Sequence, residues 1–126
     1  MNNSSNLSDN IIIAIIYKES GGDPTAYNEE GGGFGAIGLM QIRSIALKDF
    51  NQNWLAAGAS WYTAFDLWSP ILNIYIGSGA LYNDVFRYNH GNVTAGLDWY
   101  GTGPGYGQSI LDTAAKIPLQ GIGAFK

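Results

Sequence analysis

The segment from Ser69 to Phe86 constrains the fold of this chain more than any other stretch. Ser69 offers a capping hydroxyl, and Pro70 follows at a first helical position, where its missing N–H costs nothing. From there Ile71, Ile74, Tyr75, Ser78, Leu81, Tyr82, Val85 and Phe86 recur at three-to-four spacing, which predicts an amphipathic helix. Asn89-His90-Gly91-Asn92 ends it. The run Ile11 to Ile16 is equivocal alone, because β-branched residues also favour sheets. A cap at Ser8 or Asp9 before it, and Gly21-Gly22-Asp23-Pro24 after Ser20, predict a helix there too. Further helices are expected over Leu39–Phe50, Val93–Tyr100 and about Gln108–Lys116, with glycine-rich loops at 28–38 and 101–107. Asn51–Trp68 holds three of the four tryptophans and reads ambiguously. No repeat or linker divides the 126 residues, so one mainly α domain is expected, with its core over about 8–117.

The absence of cysteine excludes disulfides and thiolate chemistry, and a single histidine, His90, excludes a multi-histidine metal site. Ten acidic against six basic residues give a net charge of −4, which argues against nucleic acid as a partner. Carboxylates, hydroxyls, amides and aromatics remain for any chemistry, the toolkit of a carbohydrate-active protein. The start MNNSSNLSDN lacks the basic region of a signal peptide, and Ile11–Ile16 is far shorter than the ~20 residues of a bilayer crossing. Neither export by a leader nor membrane insertion is expected.

Glu19 is the foremost candidate for chemistry. It ends the apolar first helix, where desolvation and the negative end of the helix dipole both disfavour a charged carboxylate. A glutamate that keeps its proton is what a glycosidic bond requires as a general acid. Spacing alone favours a solvated helix-end glutamate, paired with Lys18 or with nothing.

Four ordered motifs bear on that choice. Glu19, Ser20, Asp23, Pro24 and Ala26 match E-S-x-x-D-P-x-A. Gly35 to Ile42 reads G-A-I-G-L-M-Q-I, Pro70-x-x-Asn73-Ile74-x-x-Gly77 follows, and Tyr100-x-x-Gly103-Pro104-Gly105 closes the set. Together they resemble the soluble lytic transglycosylase (SLT) family. The resemblance implies a lysozyme-like, mainly α fold that cleaves the MurNAc–GlcNAc β-1,4 bond of peptidoglycan with one catalytic glutamate, matched by Glu19. It implies a 1,6-anhydro product, no cofactor and no metal. Substrate-binding roles are implied for Ser20 (orienting Glu19), Gly38, Leu39, Met40 and Gln41, and for Tyr100, as a hydrogen-bond partner of Glu19 or substrate.

The chain has Gly101 where the family pattern has asparagine, and Ser69 where it has aspartate. Its loop between the first two motifs carries Glu29-Glu30-Gly31-Gly32-Gly33-Phe34. Gly33-Phe34-Gly35 close to Gly38-Leu39-Met40-Gln41 also resembles goose-type lysozymes, which hydrolyse with water. Glu29 or Glu30 is therefore a candidate second carboxylate for a muramidase. Trp54, Trp61, Trp68, Trp99 and Tyr106 are candidates for stacking on sugars, with Tyr106 best placed beside the glycine cluster. A non-catalytic glycan-binding or virion structural module is a third expectation. The implied partner is the GlcNAc–MurNAc strand, met by a monomer; a wall-cutting enzyme without a leader suggests a bacteriophage product, carried in the virion or released at lysis.

Overall fold

The computed structural model describes residues 1–29 and 33–117. Helix α1 runs Asp9–Ser20 and stops where Gly21 turns left-handed (φ 63°) and its N–H bonds to the Tyr17 carbonyl. A short antiparallel pair follows, β1 (Tyr27–Asn28) with β2 (Ala36–Ile37), in the register Tyr27–Ile37 and Asn28–Ala36. Then come α2 (Ser44–Trp54), a 3-10 turn (Ala64–Trp68) and α3 (Pro70–Tyr82). A π turn (Asn83–Arg87) prolongs α3, and α4 (Val93–Tyr100) and α5 (Tyr106–Ala115) complete the order.

Three sequence expectations are corrected. The helix expected over Leu39–Phe50 begins only at Ser44 and runs on to Trp54. Residues 38–42 form a tight turn instead, with Gly38 and Gln41 at positive φ and Ile37 bridged to Ile42 in both directions. Tertiary bonds replace helical ones there: the Met40 N–H donates to the Asn73 side chain rather than to a carbonyl four residues back. The final helix starts two residues before Gln108, at Tyr106.

The stripe expected on α3 is the third. Ser69 does cap it, accepting from the Leu72 N–H, but Ile71 is exposed while Asn73, Ile76, Gly77, Gly79 and Ala80 are buried. A helix apolar nearly all round is a central helix, and α3 is packed by α2, the 3-10 turn and α4. Its small residues bring α2 and the 38–42 turn close to its backbone. Around it gather Ile12 and Ile15 of α1, Phe50 of α2, Leu97 of α4 and Ile110 of α5, all essentially inaccessible to solvent. The ambiguous segment resolves into the end of α2, an irregular stretch and the 3-10 turn, whose Asp66 carboxylate accepts from the Thr63 N–H at 2.8 Å.

Candidate active site

A cleft of about 360 Å3 opens where α1, the 38–42 turn, α2, α3, the π turn and α4 meet. Glu19 enters it from the last turn of α1, half-buried. Its Oε2 accepts a hydrogen bond from the Tyr106 hydroxyl at 2.6 Å. Tyr106 is 4% exposed, and burial followed by that bond pushes its phenol well above the ordinary range, so it remains a donor throughout working pH. The other carboxylate oxygen of Glu19 takes no hydrogen bond from the described residues and is left for a ligand.

Gly101 explains how Tyr106 reaches this position. A Cβ at residue 101 would stand 2.2 Å from Tyr106 Cγ, so the ring occupies the space an asparagine there would need. A side chain at 101 and the observed position of the Tyr106 ring therefore exclude each other.

The other candidates divide between the lining of the cleft and positions behind or away from it. Tyr100 lines the cleft, but its hydroxyl donates to the Met40 carbonyl at 2.7 Å and not to Glu19. It pins the 38–42 turn to α4. Ser20 bonds back to the Ile16 carbonyl and accepts from the Gly22 N–H, so it secures the helix end and does not orient Glu19. Gly38 faces the core: at φ 77° its missing Cβ would stand 2.3 Å from Asn73 Nδ2, so it admits Asn73 and not a sugar. Leu39 and Met40 are buried and do not line the cleft.

Gln41 does line it. Its Nε2 donates to the Ala26 and Gly38 carbonyls, and its Oε1 accepts from Asn28, which fixes the amide with part of one acceptor left over. Behind the turn, Asn73 Oδ1 accepts from Met40 N–H at 2.9 Å while its Nδ2 donates to the Ile37 and Leu67 carbonyls. Glu29 is exposed and outside the cleft lining; Glu30 lies outside the described residues. Among the stacking candidates only Trp99 lines the cleft. Trp54 stacks on Phe50 beside the core, Trp68 faces Tyr27, Trp61 is exposed elsewhere, and Tyr106 is buried beneath Glu19 instead of offering a face.

Asp49, Asp84 and Tyr88 are among the lining residues that the sequence reading does not single out. Burial first, and the neighbouring Asp49 second, push the Asp84 carboxyl up to about 7. The one available signal was an acidic residue inside an apolar run, between Leu81 and Val85, which the π turn brings to the cleft.

A family model described as the transglycosylase SLT domain matches residues 1–115. The chain belongs to that family. A solved structure described as the complex of the 70-kDa soluble lytic transglycosylase with bulgecin A matches 90% of this SLT chain, with a TM-score of 0.62 and 24% identity. At that identity the likeness shows a shared fold, and this chain spans 17% of the larger protein. No curated protein sequence matches.

Proposed function

We propose that this SLT domain is a peptidoglycan lytic transglycosylase acting on the MurNAc–GlcNAc β-1,4 bond, with Glu19 as acid and then base. The observation that carries the reading is the placement of Glu19: a cleft-lining carboxylate held at one oxygen by a non-titrating donor and open at the other. Protonated Glu19 gives its proton to the bridging oxygen as the C1–O bond breaks. The substrate's N-acetyl oxygen stabilises the electron-poor C1. The Glu19 carboxylate then takes the proton of the C6 hydroxyl, whose oxygen bonds to C1 and closes the 1,6-anhydro ring. No water is consumed and no second protein carboxylate is needed, unlike the usual two-carboxylate scheme.

A hydrolytic muramidase is the second reading, and one observation favours it: Asp49 and Asp84 line the same cleft as Glu19, as neither Glu29 nor any other described glutamate does. Mass spectrometry of digested peptidoglycan separates the two, because transglycosylase products are lighter by one water. A digest containing only reducing-end products overturns the transglycosylase. Glu19→Gln abolishes clearing under both readings with circular dichroism unchanged; a variant that still clears walls refutes the site. Wall binding without any clearing by the parent would leave a non-catalytic glycan-binding module.

A further inference from the structure

Two large aromatic residues border the cleft while remaining open to solvent, Trp99 (62% exposed) and Tyr88 (41%). Their rings stack on each other with centroids 5.8 Å apart and planes 22° from parallel. The stack is held in place from behind. The Tyr88 hydroxyl donates to Asp49, which also accepts from Asn83 Nδ2 at 2.8 Å and Asn53 Nδ2 at 3.0 Å. Asp49 is therefore occupied with fixing Tyr88. Asp84 is not: among the described residues no donor reaches its carboxyl, although it lines the cleft beside the stack.

Resting on the glycan-cleaving reading above, we propose that this wall of the cleft is an additional sugar subsite for N-acetylglucosamine, with Trp99 on Tyr88 as its platform and Asp84 as its polar contact. A pyranose ring presents axial C–H groups on its faces and hydroxyl and amide donors around its rim. An indole face covers the former, and a carboxyl without a partner of its own takes the latter. Ordering costs are low because the platform is already assembled by Asp49, Asn53 and Asn83. Charge selects between the two wall sugars. The Asp49 carboxylate repels the lactyl carboxylate of a bare muramic residue, whereas N-acetylglucosamine is neutral. Arg43 also lines the cleft, at the N-terminal end of α2.

The test uses chitohexaose, a chain of N-acetylglucosamine, titrated calorimetrically into the Glu19→Gln protein so that nothing is cleaved. Adding Trp99→Ala weakens binding about tenfold, the scale of one lost aromatic contact. Trp99→Phe, which keeps a ring, retains most of the affinity. Trp61→Ala, an exposed tryptophan outside the cleft, changes nothing. A Trp99→Ala affinity within twofold of its parent, or an equal loss with Trp61→Ala, overturns the subsite. Failure of the wild-type protein to cut peptidoglycan overturns the underlying function instead, so the two failures are told apart.

Discussion

Replacing Asp84 by asparagine should stabilise the protein, by an amount that grows as pH rises from about 4 to about 7. In the folded chain, burial and the nearby Asp49 carboxylate raise the Asp84 carboxyl from its ordinary 3.8 to about 7. A proton is thus held more tightly folded than unfolded. Below about pH 4 the group is neutral in both states and costs nothing. As pH rises from about 4 to about 7 the unfolded chain releases its proton while the folded chain keeps it, so stability falls; above that the loss is constant. The full step converts to about 4 kcal/mol. Asp84 is only partly buried and the cleft is open to water, so about 2 kcal/mol is expected after screening. With a urea slope of about 1.5 kcal/mol per molar, Asp84→Asn moves the midpoint up by about 1 M at pH 8 and leaves it unchanged at pH 4. Comparing variant with parent at each pH cancels contributions that the substitution leaves unchanged. Equal differences at the two pH values, or a variant weaker than the parent at pH 8, would refute a desolvated Asp84.

Asn73→Ala strands the buried Met40 N–H and Leu67 carbonyl and removes one of the two donors to the Ile37 carbonyl; a loss of about 2–5 kcal/mol in urea unfolding is expected, and less than about 1 would show that water replaces the amide. Tyr106→Phe removes the donor to Glu19 and should lower kcat about tenfold with little change in KM; an equal effect on both would mean that Tyr106 serves the fold and not the acid. Gly101→Ala forces Tyr106 aside and should lower kcat similarly while also lowering the melting temperature, and in a Tyr106→Ala background the same substitution should cost less stability because the ring it meets is gone. Gly38→Ala, strained at φ 77° and overlapping Asn73, should cost at least about 2 kcal/mol by thermal unfolding.

Helix ends were legible because their signals are local. The cap and glycine stop around α1, Ser69-Pro70 before α3 and the boundaries of α4 each depend on a few adjacent residues. The 38–42 turn was not legible, since Leu39–Ile42 suits a helix and it is Asn73 and Tyr100, 33 and 60 residues beyond Met40, that draw its backbone elsewhere. The α3 face was misjudged for a related reason: its glycines carry no side chain to register as apolar, yet they mark where neighbours approach most closely.

At the site, Glu19 was visible through its motif, and the structure puts that carboxylate in a cleft. The sequence reading offered Tyr100 as a partner of Glu19 or of substrate, and adjacency to a motif says nothing of which hydroxyl points where. Tyr100 reaches Met40, and Tyr106 reaches Glu19 through the space that Gly101 leaves. The motif order and the mainly helical class were therefore properties of the sequence alone, being carried by residue identity and short-range backbone preference. The donor to Glu19, the Asp49–Asp84 pair and the Trp99–Tyr88 platform were decided by tertiary structure, because each unites residues that only the packing of α1, α2, the π turn, α4 and α5 brings together.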